Sequence, residues 1–79
     1  MSTYNGHRNY NHWNVSLWIS NDEGLYSMAL NMLRCYPRGG KAYAASKMLE
    51  RLHDEGITHT PDGAPYSVTT ITAALRGLS

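Results

Sequence analysis

The chain has 79 residues and a formal net charge of +1, from seven Lys and Arg against six Asp and Glu. This length allows one domain, residues 1–79, with a small core, because a chain of this size buries only about 60% of its unfolded surface. The charge is too small to indicate a nucleic-acid binder or an acidic DNA mimic. Cys35 is the one cysteine, which excludes an internal disulfide and a cysteine-based metal cluster.

The chain carries no signal for a membrane or for secretion. No apolar run approaches the ~18 residues of a membrane span, and the N-terminal residues lack the apolar segment of a signal peptide. The single cysteine also fits a reducing compartment. We therefore expect a soluble cytoplasmic protein without membrane contact, in the host-cell cytoplasm if the gene is viral.

The N-terminal third contains both tryptophans. Residues 1–11 form a polar lead-in without apolar periodicity. From residue 12 onward, apolar residues recur at the spacing that gives a wide apolar face on a helix. We therefore predict the first helix over residues 12–20, with Asn9 or Asn11 as its N-cap.

A strand is the alternative for part of this stretch. Apolar and polar side chains alternate over residues 13–19, apart from Trp18, as they do in a half-buried strand. A lone strand is not stable, however, and no second strand or hairpin turn follows that could pair with it. We favour the helix, whereas the strand would give an α+β fold.

Ser20 begins a sequence that is typical of a helix start. In a capping box the serine hydroxyl accepts a hydrogen bond from the backbone N–H three residues on, and a glutamate there, Glu23, reaches back. This pattern predicts the second helix over residues 21–36, ended by Pro37. Gly24 costs about 1 kcal/mol relative to alanine in a helix, which suggests that a neighbouring helix packs closely against it.

The C-terminal half predicts two further helices. Apolar residues at helical spacing predict a helix over residues 41–55, and Gly56 suits the position just after its end. The segment 61–63, Pro-Asp-Gly, predicts a turn, and Ser67 then caps a last helix over residues 67–78. The predicted fold class is all-α, a single-domain bundle of about four short helices.

The core of such a bundle should be built from its largest apolar residues. If the ring of Trp18 is buried, replacing Trp18 with alanine should cost about 3–5 kcal/mol of stability. The predicted core residues are Trp13, Leu17, Trp18, Leu25, Leu52, Ile71 and Leu75.

The sequence lacks the patterns of catalytic and metal-binding sites. The four histidines, His7, His12, His53 and His59, do not have the short spacing, with a third ligand nearby, of a metal site. No pair of carboxylates is placed to act as acid and base, and no base accompanies Cys35. We therefore expect no enzymatic activity, no metal and no cofactor.

The most distinctive surface signal is a short cationic segment between the second and third helices. Arg34, Arg38 and Lys41 surround a Gly-Gly pair, where backbone N–H groups are free. An anion or a nucleic-acid backbone can dock on such a segment, although a solvated loop is the simpler explanation. We define Arg34, Tyr36, Arg38 and Lys41 as the basic connector and predict that a partner binds there.

The C-terminal half is broadly similar to the small helical modules that follow recombinase catalytic domains and contact DNA. It has a helix, a loop longer than that of a tight helix-turn-helix, and a final helix. The final helix offers one arginine, Arg76, beside serine and threonine side chains, which is a poor set for base readout. The alternative function is therefore a small DNA-binding accessory or regulatory protein that uses this unit and the basic connector.

Several short motifs give the chain a more specific likeness. They are Tyr4-Asn5-Gly6, Asn9-Tyr10, Trp13-Asn14-Val15, Leu17-Trp18, Asn21-Asp22-Glu23-Gly24-Leu25-Tyr26 and Thr60-Pro61-Asp62-Gly63. In these motifs the chain resembles a family of small proteins from phages and related mobile elements, although Asn11-His12 departs from the family pattern. No activity or site residue carries over from that family.

The resemblance implies a context, a phage-encoded accessory protein in the host cytoplasm. Small, non-enzymatic phage proteins of this kind often bind a host defence complex, anti-CRISPR proteins among them. We therefore predict that the chain binds and blocks a host protein or ribonucleoprotein defence complex, specifically a CRISPR effector. Contact with a nucleic-acid backbone and a homodimer are further predicted interactions.

Overall fold

The computed structural model describes residues 9–78, and this part of the chain is a bundle of helices without a sheet. The elements are α1 (Tyr10–Asn21), α2 (Glu23–Cys35), α3 (Gly40–Asp54) and α4 (Val68–Leu78). The all-α fold class is confirmed, and the strand alternative is wrong because residues 13–19 lie within α1. The predicted lead-in lies outside the described residues as far as residue 8.

The start of α1 is set by Asn9. Its side-chain oxygen accepts a hydrogen bond from the backbone N–H of His12 at 3.0 Å, and its carbonyl accepts from the N–H of Trp13 at 3.0 Å. Of the two N-cap candidates, Asn9 therefore holds the position, because Asn11 already lies inside the helix. The helix begins earlier than predicted for this reason.

A single residue, Asp22, separates α1 from α2. Its backbone N–H donates to the carbonyl of Trp18 at 2.9 Å and ends α1, while its carboxylate accepts from the backbone N–H of Leu25 at 3.0 Å and starts α2. The capping box predicted at Ser20 is wrong, because Ser20 lies inside α1 and an aspartate caps a helix as well as a serine does. The aspartate also places negative charge at the positive end of the α2 dipole.

The close packing predicted at Gly24 is also wrong. A Cβ atom built on Gly24 would meet the Asp22 carboxylate at 3.4 Å, an ordinary contact. Gly24 is exposed in the first turn of α2, so no helix approaches it closely.

The core lies where the helices meet. α4 packs against α1 and α3, and α2 packs mainly against those same two helices. The largest fully buried side chains are Asn14, Val15, Ile19, Met48, Leu52, Ile71 and Leu75.

The residues predicted as core divide into three groups. Leu52, Ile71 and Leu75 are fully buried, whereas Trp13, Trp18 and Leu25 are half-buried. The prediction for Leu17 is wrong, since 37% of its surface is exposed. The physical reason is that Val15 and Ile19 face the core, and a residue two positions from each points to the other side of the helix.

Because Trp18 is half-buried, the expected loss of stability for Trp18→Ala falls below the range for a buried ring.

Gly56 ends α3 in a Schellman motif. Its φ angle is +78°, its N–H donates to the carbonyl of His53 at 2.9 Å, and the N–H of Ile57 donates to the carbonyl of Leu52 at 2.8 Å. This left-handed position favours glycine, as the sequence predicted. Ile57 thereby turns back onto the core.

A closed loop, residues 58–66, follows the end of α3, and we call it the hairpin loop. The N–H of Tyr66 donates to the carbonyl of Thr58 at 3.0 Å, and the N–H of Gly63 donates to the carbonyl of Thr60 at 2.9 Å. Gly63 has φ +93°, so the predicted Pro-Asp-Gly turn forms. Ser67 then caps α4, since its hydroxyl accepts from the N–H of Thr70 at 3.1 Å.

The difference between buried and exposed leucines gives a test of the core. Replacing Leu52 with alanine should lower the free energy of unfolding by about 2–5 kcal/mol, because the side chain is fully buried. Leu30 is the matched control, since it loses the same atoms from a site that is 36% exposed, and Leu30→Ala should cost about 0.5 kcal/mol. Urea denaturation measures both, and equal losses would contradict this core.

Candidate functional site

The basic connector lies at the junction of α2 and α3. Arg34 is in the last turn of α2, Tyr36 follows as its C-cap, and Lys41 is in the first turn of α3. Arg34 and Arg38 are exposed, while Tyr36 and Lys41 are half-buried. The structure therefore brings all four predicted partner-binding residues to one corner of the bundle.

The three cations of the connector have no carboxylate partner within residues 9–78. The ion pairs of that range are Lys47 with Glu50 at 3.7 Å and Arg51 with Glu55 at 3.0 Å, both along α3. Three uncompensated positive charges at one corner produce a local positive potential that the near-zero net charge does not reveal.

The glycine pair in the connector shapes the start of α3. A Cβ atom on Gly39 would overlap the side chain of Tyr43, and Gly40 has φ +76°, so a larger residue is disfavoured at both positions. Gly39 is the N-cap and supplies no side-chain acceptor. The first backbone N–H groups of α3 are therefore without a side-chain cap, and the helix dipole adds to the positive charge of the cations.

Two tyrosines stand beside these cations. The rings of Tyr36 and Tyr43 pack edge to face, with centroids 5.5 Å apart and planes at 80°. The ammonium of Lys47 lies 5.5 Å from the centre of the Tyr43 ring, and the carboxylate of Glu50 raises the pKa of Lys47. Tyr43 is 45% exposed, so aromatic surface lies beside the connector at the start of α3.

Two acidic residues, Asp22 and Glu23, lie at the opposite end of the α2–α3 pair. The two helices run antiparallel, since Tyr36 meets Tyr43 near the connector and Met32 shares a surface groove with Arg51, farther along α3. Asp22 and Glu23 therefore start α2 far from the connector. The carboxylates at the start of α2 are therefore separated from the connector cations, while α3 carries both signs of charge along its length.

A polar network fastens the hairpin loop to α1. The side-chain amide of Asn14 donates to the Asp62 carboxylate at 2.9 Å and accepts from the Thr60 hydroxyl at 2.5 Å. The indole N–H of Trp18 donates to the same Asp62 oxygen at 2.9 Å. These hydrogen bonds stabilise the carboxylate form and lower the pKa of Asp62. Asn14 is 1% exposed and is hydrogen-bonded through both its nitrogen and its oxygen, so its role is structural.

A concave surface lies at the end of the α2–α3 pair where α2 begins, and the sequence did not predict it. We call it the acidic cleft. It has a volume of about 360 Å³ and is lined by Trp18, Asp22, Leu25, Ile57, His59, Pro61 and Tyr66. Burial, and then the nearby charge of Asp22, raise the pKa of Tyr66. Trp18 and Asp22 are one helical turn apart in the sequence, but no local pattern places Pro61 and Tyr66 beside them.

The side chains of α4 that were considered for DNA contact are mostly turned inward. Thr70 and Thr72 are buried and donate to the carbonyls of Ser67 and Val68 at 3.1 and 2.6 Å. Thr69 and Arg76 remain exposed. This face of α4 is a poor surface for base readout.

No group of three or more metal-ligating side chains that could hold a metal ion occurs within residues 9–78. His12, His53 and His59 lie on α1, on α3 and in the hairpin loop, while His7 lies outside the described residues. None of the helices of this range is long and apolar enough to cross a membrane.

Comparison with known proteins places the chain in a family. It belongs to DUF7249, a family of unknown function, whose model matches residues 1–76. No curated protein and no solved structure matches the chain.

The Asp62 network predicts how stability depends on pH. Because the folded protein lowers the pKa of Asp62 below its ordinary value of 3.8, the carboxylate stabilises the fold above that pH, and this contribution is lost as the pH falls through the folded pKa. Asp62→Asn should therefore be less stable than the unmodified protein near neutral pH, and the difference should shrink as the pH falls below about 3.8.

Urea denaturation at several pH values measures this difference. Asp54→Asn is the matched control, because Asp54 forms no ion pair within residues 9–78. Its stability difference should change much less with pH. A difference for Asp62→Asn that is independent of pH would contradict the assigned role of the network.

Proposed function

We propose that this member of the DUF7249 family is a non-enzymatic binding protein of the anti-CRISPR type, encoded by a phage, that attaches to a host CRISPR effector complex and blocks it. One observation carries the proposal. The cations of the basic connector, Arg34, Arg38 and Lys41, have no carboxylate partner within the described residues and stand beside exposed aromatic surface.

The chemistry of the connector favours a ribonucleoprotein partner. Arginine presents a planar fork of N–H groups that pairs with phosphate or carboxylate through two hydrogen bonds. Tyrosine is enriched at protein interfaces, since it contributes a large contact area at low entropic cost. A CRISPR effector displays both phosphates and protein surface, so the connector can engage either component.

Binding without catalysis is supported by the structural engagement of four of the six acidic side chains. Asp22 caps α2, Asp62 accepts hydrogen bonds from α1, and Glu50 and Glu55 pair with neighbours on α3. The phage context comes from the resemblance in the short N-terminal motifs. The same context favours an inhibitor that acts by occupying a surface of its target.

A DNA-binding accessory protein is the alternative, because the three connector cations also fit a DNA backbone. The inward orientation of Thr70 and Thr72 leaves α4 with few groups for base readout. Binding of this kind would rest on phosphate contacts. It would be nonspecific and would weaken steeply with salt.

Charge reversal in the connector tests the proposal. Arg38→Glu should weaken binding to the effector complex at least tenfold, which corresponds to about 1.4 kcal/mol, and should abolish protection of a phage from the host CRISPR system. Arg76→Glu is the matched control, since Arg76 is also exposed but lies on α4. Co-purification from host cells and plaque counts measure both effects.

The outcomes separate the two functions. If the unmodified protein protects a phage from none of the defence systems of its host, the anti-CRISPR proposal is wrong. If DNA instead shifts in gel mobility at low salt, and Arg38→Glu removes the shift, the DNA-binding alternative replaces it. Equal binding by Arg38→Glu and Arg76→Glu would remove the connector as the site.

A further inference from the structure

We propose that the acidic cleft binds an arginine side chain of a partner polypeptide. The cleft lies at the end of the α2–α3 pair opposite the basic connector and shares no residue with it. Its volume of about 360 Å³ is at the lower end of ligand pockets, which suits one extended side chain better than a whole helix. The inference is independent of the proposed function.

The walls of the cleft are apolar, aromatic and fixed in position. Trp18 is held by the hydrogen bond of its indole N–H to Asp62 at 2.9 Å. Tyr66 is 6% exposed, and its backbone N–H bonds to Thr58 across the hairpin loop at 3.0 Å. Leu25, Ile57, Pro61 and the exposed His59 complete the lining together with Asp22. Little ordering is needed on binding, which lowers the entropic cost of association.

The charge at the cleft favours a cation. Asp22 lines the cleft, and the Asp62 carboxylate bonds to the indole N–H of Trp18. No lysine or arginine is among the lining residues. The raised pKa of Tyr66 has the charge of Asp22 as one of its causes, so the field of this carboxylate reaches the aromatic wall. A negative potential over aromatic surface is the setting in which cations bind.

Arginine fits this combination better than lysine does. A guanidinium is planar and weakly hydrated, so it can stack on a tryptophan or tyrosine ring while its N–H groups reach a carboxylate. An ammonium is strongly hydrated and loses more on entering a mostly apolar cleft. Asp22 is the carboxylate available for this pairing, because its other contact is the cap bond to Leu25.

A short peptide tests the proposal on the unmodified protein. The probe is acetyl-Gly-Arg-Gly-amide, and its control replaces arginine with citrulline, which has nearly the same shape but no charge. Titration followed by ¹H–¹⁵N NMR reports on the indole N–H of Trp18, while that of Trp13, which does not line the cleft, serves as an internal reference. The arginine peptide should shift the Trp18 signal in the millimolar range, and the citrulline peptide should bind at least tenfold more weakly.

Two variants locate the charge that is responsible. Asp22→Asn removes the carboxylate but keeps an efficient N-cap on α2, and it should weaken binding of the arginine peptide about fivefold, as expected for one partly exposed ion pair. Glu23→Gln removes the same charge one residue away, outside the cleft lining, and should bind like the unmodified protein. Thermal unfolding confirms that both variants are folded.

Three results would overturn the proposal. They are the absence of any Trp18 shift at millimolar peptide, equal binding of the arginine and citrulline peptides, and equal weakening by Asp22→Asn and Glu23→Gln. The first two do not depend on a variant, so a folding defect cannot obscure them. None of the three results concerns the basic connector, whose function is tested separately with Arg38→Glu.

Discussion

The hydrogen bonds required by one buried side-chain amide, that of Asn14, determine much of this fold. Asn14 lies inside the bundle, where an unpaired amide would cost about 1–3 kcal/mol, and its partners Thr60 and Asp62 both come from the hairpin loop. The loop joins α3 to α4, so its attachment to α1 fixes where α4 begins. α4 then packs against both α1 and α3. The same network orients Trp18, which is why the core and the acidic cleft depend on shared contacts.

Sequence predicted the features of the fold that rest on local chemistry. The cap at Asn9, the left-handed Gly56 and the Pro-Asp-Gly turn each follow from the conformational preferences of a few adjacent residues. The errors arose where two local solutions compete. Ser20 and Asp22 are both good caps, and because α1 continues through Ser20, Asp22 is the residue that starts α2. Leu17 is apolar but exposed, so apolar character alone does not identify a core residue. The orientation of α1 about its own axis decides which of its apolar side chains face the core.

The two candidate sites also differ in how far the sequence could predict them. The connector residues lie within eight positions of one another, so their charge was visible in the sequence, and the structure adds that they lack carboxylate partners within residues 9–78. The acidic cleft combines residues from α1, α2 and the hairpin loop. Its members are more than thirty residues apart in places, and no periodicity or motif links them. Such a surface becomes visible only when the chain is folded.

The distance along the chain between Asn14 and Asp62 also has a consequence for biosynthesis. The two residues are separated by 48 positions, and the amide of Asn14 has no protein partner until the hairpin loop has been made. α1 can form a helix as soon as it leaves the ribosome, but the side of the helix that carries Asn14 cannot yet be buried as it is in the native fold. Closing so long a segment carries an entropic cost that only the completed contacts offset. α1 should therefore reach its native packing only after the hairpin loop has been synthesised.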